Sequence, residues 1–553
     1  MKKLLAGLWI ALLIALLAMF AIAEESEMRT LRIIATSDLH GKFMPWDYSL
    51  NAASPSGSMA QLATAVSQYR TADTLLVDAG DTIQGNSADL FIGDKDVHPM
   101  IQAINALDYD VWVTGNHEYN YGMEPLKKVI SDLQCKVLTG NVYDVDGAPI
   151  ADGYTIVDLN GVRVAMIGMV TPLIERWDGP NLADYTVTDP LKETRRIIDD
   201  IQGQYDVLVG VFHMSVKNEY NVPNSGVTDI LNVCPEFDLM VSSHEHLLIP
   251  GIQVNDVLVV QNHNHARTMI VVDLTLEKDA TGWKVVDRAS QGVSIADYEA
   301  DPALMELLER YDQRAREDAN LVIGRLEGGP LAPESGKDDI PAARLRDTAL
   351  VDLIEDAEMY YAGVSIAATA LPPQNANLYP GEIRKCDISK IYGFNNTLYR
   401  LRMTGAQLKA FMEWTAGFYN TFQPGDQSVS FNETLSSFNY YQFSGVCYEV
   451  NLSHEPGSRI EHLTWSNGNP VRDDDAFDIA VNNYCANSQL LVPGVIYTGD
   501  DLPTLVEMDV HGEIGGIREL IRDYIANVKG GVIHPDCDDN WRVTGCEGIT
   551  DAA

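Results

Sequence analysis

Seven short apolar runs between residues 31 and 261 constrain this chain more than any other feature. They read LRIIAT, TLLVDAG, VWVTGN, VRVAMIGMV, DVLVGVF, FDLMVSS and VLVVQ. Each is rich in β-branched residues and ends in a polar turn, and helical stretches follow several of them. A strand with one wet face alternates apolar and polar residues; these runs hardly alternate, so they read as strands buried on both faces of a layered α/β sheet. The chain has 553 residues, too many for one ordinary core. A second mixed region follows from about residue 322, with a helical stretch TGAQLKAFMEWTAGFYN and strand-like runs CYEVNLS and AFDIAVNNY. Between them DPALMELLERYDQRAREDA opens on Asp301-Pro302, a good helix start, and carries Leu304, Leu307, Leu308 and Tyr311 at helical spacing. The expected organisation is an N-terminal catalytic domain over 28–298, a charged linker helix over 299–320 and a second α/β domain over 321–553.

The N-terminus, MKKLLAGLWIALLIALLAMFAIAEES, has a basic start, an apolar stretch and small residues at Ala21-Ile22-Ala23. It reads as a secretion signal over 1–23, which places the mature protein outside the cytoplasm; an uncleaved anchor is the alternative, because the run is long for a signal. A formal net charge of −40 argues against a nucleic-acid polymer as ligand, since phosphate backbones need basic surface. It does not exclude a small anion held by metal ions. Seven cysteines match no zinc spacing. Cys537 and Cys546 are close enough in sequence to pair outside the cell, and unpaired buried thiols are the alternative.

In open α/β sheets ligands bind beyond the carboxyl ends of the strands. Those ends carry metal-ligand chemistry here: Asp38 and His40 in SDLHG, Asp81 in DAGDTIQGN, Asn116 and His117 in TGNHE, His213 in VFHMS, and His244 and His246 in SSHEH. A lone histidine at a strand end is usually structural, but five strand ends with such residues among seven runs are not a coincidence of composition. Gly80 lets the chain bend sharply after its strand, which suits Asp81 as a ligand and Asp78 as a structural residue. The donors exceed the four of one tetrahedral zinc and suit two adjacent metals sharing a carboxylate. Metals about 3.5–4 Å apart clamp the attacking and leaving oxygens of a phosphoryl hydrolysis. Mixed nitrogen and oxygen ligands fit Zn, Mn, Fe or Co without selecting among them.

The ordered set D-x-H, G-D, G-N-H-E, H, H-x-H resembles the calcineurin-like metallophosphoesterase superfamily. That resemblance implies a four-layer αββα domain. It implies one metal on Asp38, His40, Asp81 and His246, and the other on Asp81, Asn116, His213 and His244, with Asp81 bridging. A metal-bound hydroxide would be the nucleophile. His117 would be no ligand; it would sit over the phosphate and stabilise the transition state. Ser243 is a departure, since a glycine usually precedes the first histidine of H-x-H.

The second region is similar to the C-terminal substrate domain of the 5′-nucleotidase family. IYGFNNTLYRLRMTGAQLKAFMEW aligns Phe394 and Asn396 with a base-stacking aromatic and its neighbouring asparagine, and AVNNYCA aligns Tyr484 with the second stacking aromatic. Tyr392, Phe394 and Tyr484 read as exposed aromatics in loops. The family's rotation about the linker helix would carry the nucleoside to the metals. The family's usual Gly-Gly-x-Arg pattern is absent, with Asn375 and Asn377 in its place. In this, and in PWDY, GDTIQGN and Asn120, the chain resembles the branch that acts on 2′,3′-cyclic nucleotides and 3′-nucleotides. Typical 5′-nucleotidases have a carboxylate at residue 120, and a neutral amide stabilises an imidazolium less well. The resemblance therefore implies a secreted, monomeric, two-metal 2′,3′-cyclic-nucleotide 2′-phosphodiesterase with 3′-nucleotidase activity on small nucleotides. The alternatives are a 5′-nucleotidase or UDP-sugar hydrolase on the same fold and, more remotely, a non-catalytic nucleoside-binding surface protein.

Overall fold

In a computed structural model of the chain, residues 27–546 are described, apart from 281, 334–339, 371–372, 374–375, 395, 500 and 513. The signal expected over 1–23, and Asn375, lie outside the described residues. The chain divides into two compact units, the first comprising Ala52–Ala315 with the segment up to Tyr48, the second running from Arg316 onward together with Ser49–Asn51. Among the described residues no helix is long and apolar enough to cross a membrane.

The main strands of the first unit are β1 (Met28–Thr36), β2 (Thr74–Asp78), β3 (Val111–Val113), β4 (Lys136–Leu138), β5 (Tyr154–Leu159) and β6 (Val162–Val170). They continue as β7 (Val207–His213), β8 (Leu239–Ser242), β9 (Ile249–Val254), β10 (Val257–Gln261), β11 (Thr268–Asp279) and β12 (Gly282–Ser294). The seven apolar runs of the sequence are β1, β2, β3, β6, β7, β8 and β10. They form not one sheet but two, ordered β12-β11-β1-β2-β3-β4 and β9-β10-β8-β7-β6-β5. Each has a parallel centre, β1 to β4 in one and β6, β7, β8 and β10 in the other.

Alternation along β1 shows how the layers arise, because successive side chains point to opposite faces. Leu31, Ile33 and Ala35 pack with Val164, Val209 and Val241 of the other sheet. Ile34 points the other way, into a core shared with Leu62 of helix α1 (Met59–Tyr69), Ile101 of α2 (Pro99–Ala106) and Leu126 of α3 (Met123–Asp132). The outer face of the second sheet is covered by α4 (Pro190–Asp200) and α5 (Val227–Val233) through Ile197, Ile198, Ile230 and Leu231. The result is helix, sheet, sheet, helix. Each fully buried Leu or Ile contributes about 1.5–3 kcal/mol, so the strand ends stand on a stiff frame.

Helix α6 (Pro302–Ala319) starts as expected: the Asp301 carboxylate accepts from Leu304 N at 2.8 Å. Its first turns pack Leu304, Leu308, Tyr311 and Ala315 into the core of the first unit. Leu307, expected on that stripe, is 45% exposed; it lies about 60° round the helix from Leu304, off the buried line.

The second unit centres on a mixed sheet. Its strands are β13 (Ala367–Ala370), β14 (Leu398–Thr404), β15 (Tyr441–Ser444), β16 (Ala476–Asn482) and β17 (Thr504–Glu507), in the order β15-β13-β16-β14-β17. Helix α7 (Ala349–Ala362) covers one face through Leu350, Ile354 and Ala357. Helix α8 (Gly405–Thr415) covers the other through Leu408, Phe411 and Met412. A reciprocal cap starts α8, with Gln407 N donating to Thr404 Oγ1 and Thr404 N donating to Gln407 Oε1. Of the two cysteines near the C-terminus, Cys537 is exposed and Cys546 is buried.

Helix α7 buries acids. Burial pushes the Glu358 carboxyl well above the usual range; Thr369 Oγ1 at 3.5 Å is a weak counterweight, and Glu358 Oε2 has no partner. Glu355 is pushed the same way by burial, and Asp352 is pushed up to about 8 by burial and the nearby Asp347 and Asp538. A carboxyl with a raised folded-state pKa binds more protons folded than unfolded. Stability is then highest at acid pH and falls as pH rises from the unfolded value, about 4, through the folded value. The second unit is expected to melt at lower temperature near pH 8 than near pH 5. Glu358→Gln should recover about 2–4 °C per kcal/mol relieved, as read by scanning calorimetry; a wild-type melt equal at both pH values would contradict this.

Candidate metal centre and active site

The carboxyl ends of β1, β2, β3, β7 and β8 bring the polar residues together. Asp38 and His40 follow β1, Asp81 follows β2, Asn116 and His117 follow β3, His213 ends β7, and His244 and His246 follow β8. Five of these residues, Asp38, His40, Asp81, His244 and His246, adopt left-handed backbone conformations with φ of 52°, 44°, 56°, 77° and 59°. Non-glycine residues rarely accept this, and such strain concentrates at functional sites. Two glycines let the loops close up. A Cβ on Gly80 would lie 2.3 Å from Gly115 N, and one on Gly115 would lie 2.2 Å from Asp81 Oδ1.

Two ligand groups result, each with all its candidate atoms within 4.8 Å of one another: Asp38, His40, Asp81 and His246, and Asp81, His213 and His244. Asp81 belongs to both. In the first, His40 Nε2 is 3.0 Å from His246 Nε2, and His246 Nε2 is 3.5 Å from Asp38 Oδ1. In the second, His213 Nε2 is 3.3 Å from Asp81 Oδ2 and 3.0 Å from the Asn116 amide oxygen. These residues fit divalent metal ions. Asp81 Oδ2 is buried with no hydrogen-bond partner, while Asp81 Oδ1 accepts from His117 N at 2.9 Å. His213 and His40 each turn the other ring nitrogen to an oxygen, Ala79 O at 2.7 Å and Gln84 Oε1 at 3.0 Å, the usual support of a metal-binding histidine.

The electrostatics follow from the same packing. Burial opposes ionisation of Asp81, yet His213 and His117 hold its carboxyl well below the ordinary range. Burial drives His213 down, but the charge of Asp81, with Oδ2 3.3 Å away, reverses this and raises it to about 10. Burial holds His40 well below its usual value. Asp78, pushed up to about 7 by burial, accepts from Thr36 Oγ1, Thr82 Oγ1 and Gly80 N, and belongs to neither ligand group.

Three supports carried no role in the sequence reading. Glu118 is fully buried, and its carboxylate accepts from the backbone N of Asp81, Thr82, Ile83 and Gly115 at 2.9, 2.7, 3.2 and 2.6 Å. It ties the β2 and β3 loops together; an acid directly after a strand-end turn was the available signal. Ser243 is buried with Oγ 3.2 Å from Phe212 O and 3.1 Å from His213 Nδ1, so the hydroxyl that replaces a glycine braces a candidate ligand. Glu219 Oε2 lies 3.1 Å from His244 Nε2, which no spacing pattern suggested.

His117 stands apart from both ligand groups. Its Nδ1 meets Asn120 Oδ1 at 2.7 Å, and its Nε2 lies 4.0 Å from Asp81 Oδ2, facing the metal ligands.

In the second unit Phe394 and Tyr484 are exposed, as expected of base-stacking residues. Phe438, which the sequence reading missed, joins them: its ring centroid lies 6.4 Å from Phe394 and 6.0 Å from Tyr484, edge-on to both. Nothing in its sequence context separates it from the core aromatics beside it. Tyr392 is buried, contrary to expectation, because it packs with Ile388 and Leu398 in the α7 core. Asn396 donates from Nδ2 to Tyr392 Oη at 3.4 Å.

Comparison with known proteins identifies both domains. Residues 31–248 match the calcineurin-like phosphoesterase family, and residues 322–491 match the 5′-nucleotidase C-terminal domain. A trifunctional nucleotide phosphoesterase, YfkN of Bacillus subtilis, is 27% identical over 95% of this chain; the chain spans only 40% of that longer protein. A 2′,3′-cyclic-nucleotide 2′-phosphodiesterase/3′-nucleotidase of Yersinia enterocolitica is 25% identical over 97% of this chain and 91% of its own length. A crystal structure of a candidate 5′-nucleotidase from Staphylococcus aureus superposes with a TM-score of 0.72 at 20% identity, covering 93% of this chain and 100% of the other. Fold and site thus define a metal-dependent phosphoric-ester hydrolase of the calcineurin-like class. With its second domain, the chain belongs to the 5′-nucleotidase family of metallophosphoesterases.

Proposed function

We propose that this protein is a secreted enzyme that hydrolyses 2′,3′-cyclic nucleotides to 3′-nucleotides, and 3′-nucleotides to nucleoside and phosphate. The observation that carries the chemistry is the buried, unpartnered Asp81 oxygen shared by two ligand groups. Asp38, His40, Asp81 and His246 would hold one divalent ion, and Asp81, Asn116, His213 and His244 the other. When bound, two such ions supply charge neutralisation for the phosphate and an activated water at neutral pH. His117 presents Nε2 to the phosphate, where it stabilises charge or passes a proton to the leaving oxygen. Phe394 and Tyr484 stack the base, Phe438 closes the slot edge-on, and Asn396, two residues after Phe394, binds the substrate beside it. Base–aromatic stacking is worth about 1–3 kcal/mol. The substrate class is supported by relatives of that name over nearly the full chain and by Asn120 in place of a carboxylate.

The test is a panel of 2′,3′-cAMP, 3′-AMP, 5′-AMP and bis-p-nitrophenyl phosphate, with metal analysis. Turnover of the first two is expected; turnover of 5′-AMP alone would make the protein a 5′-nucleotidase instead. On the same panel Phe394→Ala with Tyr484→Ala should raise KM for the nucleotides and leave that for bis-p-nitrophenyl phosphate nearly unchanged. Equal effects on both would refute the stacking role.

A further inference from the structure

The amide that holds His117 is itself held. Asn120 Nδ2 donates to both oxygens of Asp178, at 3.1 and 3.2 Å. Asp178 ends the one-turn helix Ile174–Asp178 and is 6% exposed. An ionised carboxylate only accepts hydrogen bonds, so it must face the NH2 of Asn120. The Asn120 carbonyl oxygen is thereby turned to His117 and can only accept, which places the shared proton on His117 Nδ1. The same segment is fastened on both sides. Asn181 Nδ2 donates to Tyr119 O and Asn120 O at 3.0 and 3.1 Å, and the Trp177 ring lies 5.4 Å from that of His244.

We propose that Asp178 is a positioning residue for the reaction: through the Asn120 amide it fixes the tautomer and the aim of His117. The chain thus keeps a carboxylate behind its histidine, displaced by one hydrogen-bonding group, where a direct acid would otherwise sit at residue 120. Nε2 of the neutral ring is left without a proton, and Nε2 of the protonated ring carries one into the site, with no second tautomer competing. This inference rests on the catalytic role proposed for His117.

A reciprocal exchange tests it, using the full chain loaded with manganese or zinc, 3′-AMP as substrate, and metal content and melting temperature measured for every variant. Asp178→Asn leaves the Asn120 amide free to turn. It should lower kcat by about 10–100-fold, the usual effect of an outer partner of a functional histidine, with KM and metal content unchanged. Asn120→Asp alone sets two carboxylates against each other and should also lower kcat. The double variant Asn120→Asp/Asp178→Asn exchanges donor and acceptor and should recover most of the rate, a rescue that a residue serving only loop structure would not give. Wild-type kcat in Asp178→Asn, or a double variant no better than Asn120→Asp alone, would overturn the inference. Loss of metals in Asp178→Asn would make Asp178 a scaffold residue and overturn it as well. His117→Asn separates the two levels: if it keeps kcat, the role of His117 itself fails, whereas a dead His117→Asn beside unaffected Asp178 variants defeats only the positioning role.

Discussion

His117→Asn is expected to abolish phosphate release from 3′-AMP while both metal ions stay bound. The side chain belongs to neither ligand group, so its loss removes no ligand. Its hydrogen bond to the bridging residue comes from the backbone, His117 N to Asp81 Oδ1 at 2.9 Å, and the substitution keeps that bond. What disappears is the ring nitrogen that faces the ligands, 4.0 Å from Asp81 Oδ2. A positioned acid or base contributes about 10²–10⁴-fold to rate, so kcat should fall by that factor, with the larger part in kcat and little in KM. The side chain is part-exposed, so folding should not suffer. Metal analysis and steady-state rates on one preparation check both halves. Loss of a metal would make His117 a ligand, and a kcat within a few-fold of wild type would remove it from the chemistry.

The α/β strands of the catalytic unit were legible because a strand buried on both faces writes a continuous apolar run, and those runs are β1, β2, β3, β6, β7, β8 and β10. Their division into two sheets was not legible from the runs alone. Ile33 and Ile34 are equally apolar, yet one faces the opposite sheet and the other the helices. The site was legible for a related reason: its candidate ligands sit within a few residues of strand ends, where chain position dictates place in space. Residues that join the site from loops or by long-range contact were hidden. Asp178 lies 58 residues from Asn120, and Glu219 reaches His244 across a loop. Asn120 read as a lost carboxylate; with Asp178 behind it, the charge is moved rather than missing. Helical spacing placed Leu304, Leu308 and Tyr311 correctly and failed for Leu307, which the pattern cannot separate from its neighbours near the edge of the stripe.

Asp81→Asn is expected to release both metals together, which no other single ligand substitution should do. Asp38 or His246 belongs to one group, and His213 or His244 to the other; Asp81 alone is shared. Asparagine is the decisive replacement because it accepts the left-handed φ of 56° at this position and can still receive His117 N, so the loop is kept and the charge removed. Alanine would lose the same ions but would add backbone strain of about 1–2 kcal/mol, blurring cause and effect. The carboxylate carries the negative charge common to both groups, so its removal should cost more affinity than the about 10–100-fold of an outer partner. Stability gives a second reading. Ligands at a hundredfold excess over Kd stabilise the folded state by about 2.7 kcal/mol, so wild-type protein should melt lower in EDTA and Asp81→Asn should melt the same with or without it. Asp38→Asn, by contrast, should keep one ion and part of the EDTA response. If Asp81→Asn retains one ion after dialysis, the carboxylate does not bridge, and the two groups are separate sites that happen to adjoin.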